Sequence, residues 1–499
     1  MKLTGESKCL LLVCLLLLTF SFLAIQVTAQ SSQLTVEKEQ HWETYGIGGT
    51  CISGSHNMFL KDVDGDGVTE IITGGYMYWL LEGNKTTSLA PLQIWNWDGK
   101  NLTSEKIIYW NGTGKSAGFY CIYAADVNGD SDLEILTGGR VTIGSKSYAQ
   151  LGIWSWDGSD LVLVNHAEWG DTKGGSVSSI SVSDLNKDGK PEIISGGTIA
   201  NDTASSAQLR IWRLNPDRLE LVKSVEWCAV KGARVTGVYA SDVDGDNMPE
   251  IVTAGYDHDA RNSTGQLRLW KWTGNVLTIV DNEEWQMTQG YSLDNAGNVR
   301  GNTMASALDV GDANGDGKPE IVTGGFTYDG AYARGQVKVW IWNGSHLAEG
   351  GSVDWHTQDI NEVTSLSIND VDGDGKPEIV TSGVMSNYGS FYSGYSEMAQ
   401  LKVWGWDGKT LTLETSEDWI VDEGACAWNV GTGDVDRDGV TEIVTVGCTF
   451  TSTLCDPDMR IWSIMQEPAP LPFAFLAVVG LVAAAAVGTA FILARRKRP

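Results

Sequence analysis

The stretch Asp62-Val63-Asp64-Gly65-Asp66-Gly67-Val68-Thr69-Glu70 places four carboxylates within nine residues. The same acidic pattern occurs six more times. The later copies begin at Asp126, Asp184, Asp242, Asp312, Asp370 and Asp434. Each copy precedes an apolar, β-branched run that ends in small residues, as in Ile71–Gly75. Self-similarity at a period of 58 to 70 residues is typical of a repeat architecture.

A second pattern alternates apolar and polar residues and ends in tryptophan, as in Leu92–Trp95 and Leu401–Trp404. Another tryptophan follows 15 residues later in six copies, at Trp110, Trp169, Trp227, Trp285, Trp355 and Trp419. Alternation with a period of two predicts strands, and the constant spacing predicts one hairpin per repeat. With the apolar run before each acidic stretch, every repeat has four strands. The sequence therefore predicts an all-β fold, a seven-bladed β-propeller of four-stranded blades with tryptophans packed between the blades.

The last repeat lacks its fourth strand, because residues 459–462 run on into an apolar C-terminal segment. The stretch Leu34–Trp42 matches Leu411–Trp419 in length and in its final tryptophan. We therefore expect residues 34–42 to pair into the last blade, so that no sheet edge stays exposed at the junction.

The ends of the chain predict export and membrane anchoring. Residues 1–29 have a basic start, an apolar core and a small-residue cleavage site, which predicts a signal peptide. We expect a propeller ectodomain at 30–465 and a short linker at 466–470. Residues 471–494 carry no charge and predict a transmembrane helix, and the basic tail 495–499 predicts a cytoplasmic end. Two alternatives stay open, an uncleaved N-terminal anchor and a C-terminal sorting signal that is removed.

The composition narrows the class of protein. The 499 residues are 42% hydrophobic and 20% charged, which predicts a globular chain. The 35 Lys and Arg against 63 Asp and Glu give a net charge of −28, which argues against nucleic-acid binding. Six cysteines follow the signal, and Cys448 could pair with Cys455 within one hairpin. Six glycosylation sequons fit an extracellular surface, at Asn84, Asn101, Asn111, Asn201, Asn262 and Asn343.

The acidic stretches are predicted to be calcium loops. Positions 1, 3 and 5 carry Asp or Asn and position 9 carries Glu, so a curled loop would bring like charges together. A hard cation with oxygen ligands would relieve this repulsion, and Ca²⁺ tolerates irregular geometry. We expect up to seven structural Ca²⁺ ions, with the weakest sites at Asp184 and Asp312, whose loops have one carboxylate fewer. The predicted ligands are Asp62, Asp64, Asp66, Glu70, Asp126, Asn128, Asp130, Glu134, Asp184, Asn186, Asp188, Glu192, Asp242, Asp244, Asp246, Glu250, Asp312, Asn314, Asp316, Glu320, Asp370, Asp372, Asp374, Glu378, Asp434, Asp436, Asp438 and Glu442.

These loops, each followed by a strand and small residues, resemble the FG-GAP and VCBS-type repeats of integrin α-subunit propellers and of many prokaryotic surface proteins. The resemblance covers residues 34–465 and implies a calcium-loaded propeller. The ninth loop position is usually Asp in that family, whereas here it is always Glu. The family's Phe-Gly and Gly-Ala-Pro landmarks are replaced by tryptophans and Gly-Gly pairs. Integrin-like partners therefore do not carry over.

Function is expected on the face opposite the acidic loops, where the longer connections occur. These are Tyr76–Leu92, Gln286–Ala307 and Val384–Gln400. They are rich in aromatic residues, which suit the binding of an extracellular protein or glycan and could equally pack on one another. The candidate ligand-binding residues are Tyr76, Tyr78, Trp79, Tyr291, Tyr388, Phe391, Tyr392 and Tyr395.

No catalytic residues are predicted. The six histidines share no repeat position, and no nucleophile elbow or phosphate loop occurs. The sequence thus favours an adhesion or recognition module at the cell membrane. One alternative is a polysaccharide lyase or glycosidase, whose base would be Asp257 or Asp259 beside His258. The other alternative is a purely structural envelope protein.

Overall fold

The structure, a computed structural model, describes residues 32–41, 50–51, 57–81, 85–114, 116–216, 218–228, 232–258, 263–274, 276–286, 292–293, 299–300, 303–329, 331–387, 397–450 and 455–466. None of these residues lies in a helix. The predicted segments 1–29, 471–494 and 495–499 lie outside them. Within the described part of the chain, nothing forms a helix suited to crossing a membrane.

The sequence repeats form blade-like units of four antiparallel strands, which we label A to D within each repeat. Strand β1 (Ser32–His41) precedes repeat 1, which contains β3 (Met58–Lys61), β4 (Glu70–Gly74), β6 (Lys85–Trp97) and β7 (Leu102–Trp110). Repeat 2 contains β8 (Ser116–Ala125), β9 (Glu134–Ile143), β10 (Lys146–Trp156) and β11 (Leu161–Trp169), and repeat 3 contains β12 (Gly174–Ser183), β13 (Glu192–Ala200), β14 (Ser205–Asn215) and β15 (Arg218–Trp227). Repeat 4 contains β16 (Gly232–Ser241), β17 (Glu250–His258), β18 (Ser263–Trp272) and β19 (Leu277–Trp285).

Repeat 5 contains β22 (Thr303–Gly311), β23 (Glu320–Tyr328), β24 (Ala333–Trp342) and β25 (Leu347–Trp355). Repeat 6 contains β26 (Ile360–Asn369), β27 (Glu378–Ser386), β28 (Met398–Trp406) and β29 (Leu411–Trp419). Repeat 7 contains β30 (Gly424–Gly433), β31 (Glu442–Phe450) and β32 (Cys455–Gln466), and β1 is its fourth strand. These repeats belong to one compact body, Leu34–Ile464.

Strand A carries a β-bulge at the same place in six repeats, as between Ala305 and Ala307. Strand B places a glycine against this bulge. A Cβ at that glycine would lie only 1.8 to 2.0 Å from a strand A carbonyl oxygen, so no side chain fits. This close approach explains the glycine at this position, which is the second of a Gly-Gly pair in three repeats and follows Ala254, Ser382 or Val446 in the other three. The glycines concerned are Gly139, Gly197, Gly255, Gly325, Gly383 and Gly447.

The strand C tryptophan is anchored in the same way in all seven repeats. Its buried indole N–H donates to a Thr or Ser hydroxyl on strand B of the same repeat, at 2.9 to 3.1 Å. This bond fixes the ring within its own sheet, because an unpaired buried N–H would be costly. The donors are Trp95, Trp154, Trp212, Trp270, Trp340, Trp404 and Trp462.

The strand D tryptophan instead packs on the next repeat. The Trp169 ring centre lies 4.8 Å from that of Trp212, and the Trp169 indole N–H donates to Gln208 Oε1 at 2.6 Å. The same ring contact, at 5.0 to 5.2 Å, joins Trp227 to Trp270, Trp285 to Trp340, Trp355 to Trp404 and Trp419 to Trp462. The predicted packing role of the tryptophans is therefore confirmed at these junctions.

The N-terminal strand pairs into the last repeat, as the sequence predicted. The sheet order is β1-β32-β31-β30. Leu34 is 8% exposed and belongs to the same apolar cluster as Trp462 and Ile464. Arg460 Nη2 donates to Glu39 Oε1 at 2.6 Å, which ties β1 to β32. Trp42, the predicted end of this strand, lies outside the described residues.

The first and last repeats share a core. Met58, Ile71 and Trp95 of repeat 1 cluster with Val444 and Met459 of repeat 7. The contact continues to the acidic loops, where the Arg437 guanidinium of repeat 7 reaches the loop of repeat 1.

Two of the expected long connections contain strands, and this corrects the prediction. The stretch Tyr76–Leu92 is not a loop, because β5 (Tyr76–Leu81) pairs with β6 and with β2 (Thr50–Cys51). Aromatic residues favour strands, and they extend the sheet here. Within 286–307, β20 (Ser292–Leu293) pairs with β21 (Val299–Arg300). Residues 388–396 of the third connection lie outside the described part.

Cys448 faces a different cysteine from the one that the sequence singled out. Its Sγ lies 3.2 Å from Cys426 Sγ, across the directly paired strands β30 and β31. Both residues are buried. The side chain of Cys455, the partner suggested by the short spacing, is outside the described part.

Replacing Gly325 by Ala should destabilise the protein by about 1–3 kcal/mol, the usual range for an overpacked site. The new Cβ would lie 1.9 Å from Met304 O, so the bulge must shift. Gly311→Ala is the matched control, since its nearest neighbour would be an ordinary 3.6 Å away. Urea unfolding of both variants measures the difference. Equal stability of the two variants would contradict this account of the bulge.

Candidate metal sites in the acidic loops

Each acidic loop joins strand A to strand B of its repeat. In repeat 1 the loop begins at Asp62, just after β3, and its Glu70 is the first residue of β4. The glutamate at the ninth position begins strand B in all seven repeats. The loops therefore occupy equivalent positions on the seven units.

Backbone amides of the loop fix the first three acidic side chains. The carboxylate of Asp62 accepts from Gly65 N at 2.8 Å and from Gly67 N at 2.9 Å. Asp64 Oδ1 accepts from Asp66 N at 3.2 Å. Repeat 6 shows the same arrangement, with Asp370 accepting from Gly373 N and Gly375 N. The curl of the loop therefore orients these carboxylates through its own backbone.

The ninth-position glutamate crosses the loop. One oxygen of Glu70 accepts from Val63 N at 2.9 Å, and the corresponding bond occurs in every repeat at 2.9 to 3.1 Å. The side chain of Glu is one methylene longer than that of Asp, which lets it span this distance. This bond is a physical reason for Glu where the resembling family usually has Asp.

Burial makes these glutamates unusual acids. Their exposed fractions are 4% or less, and burial is the main cause of the raised pKa in all seven. Burial raises the pKa of Glu70 and Glu320 to about 7, and that of Glu378 and Glu442 to about 8. The aspartates of the same loops add to the shift in these four residues.

Three loops carry Asn at the third position, and each amide turns to the glutamate. Asn186 Nδ2 donates to Glu192 Oε1 at 3.2 Å, and Asn314 Nδ2 donates to Glu320 Oε1 at 3.4 Å. Asn128 makes the same bond to Glu134. The loop of repeat 2 thus resembles the two that the sequence singled out as weakest.

Two loops contain a cation supplied by strand C, which the sequence analysis missed. Lys271 Nζ lies 3.1 Å from Asp244 Oδ2 and 3.2 Å from Glu250 Oε1, and it also binds Asp246. Arg213 Nη2 binds Glu192 and lies 3.8 Å from Asp188 Oδ2. Hydrogen bonding to Asp246 is the main cause that raises the pKa of Lys271.

The loops fit a divalent cation on the chemistry of their donors. In repeats 1, 4 and 6, the three aspartates each offer an oxygen within 4.8 Å of the others. All the donors are oxygens, as Ca²⁺ prefers. The side chain of Lys271 acts as a stand-in ion in repeat 4, since it places a positive charge where these oxygens converge. The predicted aspartate ligands of repeats 1, 4 and 6 are therefore brought together, and their oxygens suit a cation.

One charged cluster outside the loops also escaped the sequence analysis. His41 Nδ1 lies 3.4 Å from Asp458 Oδ1, and His41 Nε2 lies 2.9 Å from Glu39 Oε1. Arg460 binds both acids. The cluster joins β1 to β32, so its residues are far apart in the sequence. This cluster could have been predicted from the expected pairing of the N-terminal strand with the last repeat.

The predicted ligand-binding aromatics are only partly described. Tyr76 begins β5, and its Cβ lies against Gly118 of repeat 2. The side chains of Tyr78, Trp79, Tyr291, Tyr388, Phe391, Tyr392 and Tyr395 lie outside the described part. The suggested enzyme base Asp257 is 8% exposed in strand β17 and accepts from Gln266 Nε2 at 3.1 Å. It is a buried strand residue and not an outward loop charge, and Asp259 lies outside the described residues.

Without a divalent ion, stability should fall as the pH rises from about 4.5 to about 8. The folded protein holds protons on its loop glutamates more tightly than the unfolded chain, whose glutamates have a pKa near 4.5. Melting temperatures of chelator-treated protein at pH 5.5 and 8.5 test this. The double variant Glu378→Gln, Glu442→Gln should show a weaker pH dependence. A melting temperature that rises between pH 5.5 and 8.5 would contradict the raised pKa values of these glutamates.

A protein-family model described as FG-GAP-like repeat matches residues 184–253 and 312–381. Each match begins at the first aspartate of an acidic loop and extends through the next loop. No curated protein matches the chain. The chain thus contains two FG-GAP-like repeats, as its loops predicted, which is consistent with the FG-GAP/VCBS family of repeat β-propellers.

Proposed function

We propose that this protein is a calcium-stabilised, seven-bladed β-propeller that acts as an adhesion or recognition module on the outer face of a cell membrane. The observation that carries the proposal is the acidic loop, repeated seven times with the same buried glutamate and the same backbone bonds. A scaffold built this way presents many connecting loops on rigid sheets, which is the usual arrangement of a binding surface.

The propeller is supported by the contacts at the chain's two ends. Strand β1 completes repeat 7, and repeat 1 shares a core with repeat 7. A closed ring of seven units would produce both contacts at once and would leave no sheet edge open. The repeated tryptophan junctions give neighbouring units the same spacing, which a ring requires.

Calcium is supported by the charge balance of the loops. Repeats 1 and 6 each bring three aspartates together, and the loop of each also contains one buried glutamate. Such a group is costly without a counter-ion. Up to seven Ca²⁺ ions would cancel as much as half of the formal charge of −28. At a calcium concentration 100 times the dissociation constant, a site adds about 2.7 kcal/mol of stability.

The signal peptide, the transmembrane helix and glycosylation belong to this proposal and rest on the sequence alone. The proposal that the protein is not an enzyme also rests on the sequence alone. The alternatives are a polysaccharide-degrading enzyme on the same scaffold and a purely structural envelope protein. An extracellular protein or glycan is the proposed partner, bound by the aromatic connections opposite the acidic loops.

The test is a binding screen of the full-length, detergent-solubilised protein against glycans and envelope polysaccharides, with and without EGTA. We expect calcium-dependent binding without released oligosaccharide, and a lower melting temperature in EGTA. The triple variant Tyr388→Ala, Phe391→Ala, Tyr392→Ala should lose binding and keep its melting temperature. Tyr109→Ala removes an aromatic side chain that is 50% exposed on a strand D and is the matched control.

Each outcome separates the alternatives. Released oligosaccharide would overturn recognition in favour of the enzyme. Binding that survives the triple variant would place the ligand elsewhere. Absence of binding to every glycan and polysaccharide in the screen would overturn a glycan ligand and favour a protein ligand or a structural envelope component. A melting temperature that EGTA does not change would contradict the role of calcium.

A further inference from the structure

One residue of strand C faces each acidic loop. The register sets the residue after the strand C tryptophan opposite the loop glutamate, as in the pairs Ser155 with Glu134 and Gly405 with Glu378. The seven residues at this position are Asn96, Ser155, Arg213, Lys271, Ile341, Gly405 and Ser463. Loops that look alike in sequence therefore face different side chains, and two of these are cations.

The ammonium group of Lys271 lies where the carboxylates of the repeat 4 loop converge. Its ammonium group contacts the carboxylates at the third, fifth and ninth loop positions, which are Asp244, Asp246 and Glu250. Those are the oxygens that a bound ion would need. The lysine is only partly exposed, with 29% of its side chain accessible, so its charge is held among the acids.

Arg213 plays the same part in repeat 3. Its guanidinium binds the buried Glu192 and approaches Asp188, the ninth and fifth positions of that loop. The third position is Asn186, whose amide also turns to Glu192. This loop therefore offers fewer free oxygens as well as a cation of its own.

A divalent ion and these side chains exclude each other. Ca²⁺ binds oxygens at about 2.3–2.6 Å, so it would lie close to a nitrogen that touches the same oxygens. Two positive charges at that distance repel strongly where solvent is partly excluded. The ion would enter only if Lys271 or Arg213 left its ion pairs.

Repeat 6 shows the opposite arrangement. A β-bulge in strand D lies between the pairs Val403 with Thr415 and Trp404 with Leu413, and it sets Glu414 out of the ladder. Glu414 comes together with Asp372 and Glu378, each offering an oxygen within 4.8 Å of the others. Gly405 leaves room for this placement, since a Cβ there would lie 2.1 Å from Glu414 Oε1. The space that the lysine side chain enters in repeat 4 is thus open in repeat 6 to a fifth carboxylate, that of Glu414.

We infer that the strand C residue opposite each loop decides whether the loop takes a divalent ion. Arg213 and Lys271 serve as built-in cations and close the loops of repeats 3 and 4 to metal, whereas Gly405 admits Glu414 as an added metal ligand in repeat 6. The inference rests on the proposed calcium function and refines it from seven candidate loops to five at most.

The test counts calcium ions bound to full-length protein by equilibrium dialysis at saturating calcium. We expect at most five ions in the wild type and one more in each of Arg213→Ser and Lys271→Ser, because Ser occupies this position in repeats 2 and 7. The reciprocal variant Ser463→Lys should bind one ion fewer than the wild type. Lys106→Ser is the control for charge alone, since Lys106 pairs with Asp160 on the surface and away from the loop focus.

The outcomes distinguish this inference from the proposed function. Bound calcium in the wild type, with an unchanged count in Arg213→Ser, Lys271→Ser and Ser463→Lys, would overturn the inference and leave calcium binding intact. No calcium in the wild type or in any variant would overturn both. If Lys271→Ser does not fold without calcium, recovery of its folding by added calcium supports the inference, and Ser463→Lys still tests it independently.

Discussion

The contact between each strand D tryptophan and the next repeat is the interaction on which the rest of the structure depends. A single four-stranded sheet cannot bury both of its faces, so a repeat gains stability only from its neighbours. The Trp169 ring packs on Trp212 and its N–H donates to Gln208, so the contact is both apolar and directional. The ring contact recurs at four further junctions, and it sets the spacing of neighbouring sheets.

This spacing in turn positions the acidic loops. Each loop joins the end of strand A to the start of strand B, and its glutamate is the first residue of strand B. The fold thus brings the carboxylates of a loop together, and either a cation or protonation of the loop glutamate would relieve their repulsion. In repeats 3 and 4 the side chains of Arg213 and Lys271 supply the positive charge, and we propose that calcium supplies it in other repeats. The same scaffold therefore accommodates two solutions to one electrostatic problem.

Much of the fold could be predicted because its signals are local. The acidic loops, the four strands of each repeat and the Gly-Gly pairs are all short patterns, and β1 could be assigned to repeat 7 because it ends like the other strands D. The partners of Lys271 could not be predicted, because they depend on the register between strands B and C. The same holds for His41 and Asp458, which meet only when the chain's ends pair. Residues 76–81 were misjudged as a loop, although their aromatic residues favour a strand.

The pairing of β1 with β32 completes the sheet of repeat 7, whose outer strand would otherwise be left without a partner. Strand β1 places Leu34 in the core beside Trp462 and Val36 on the surface, with exposed fractions of 8% and 40%.

The most direct measurement is the unfolding free energy of Leu34→Ala compared with Val36→Ala. The account predicts a loss of about 2–4 kcal/mol for Leu34→Ala, within a single unfolding transition, and less than about 1 kcal/mol for Val36→Ala. Equal and small losses in both variants would contradict the claim that the N-terminal strand completes the last repeat.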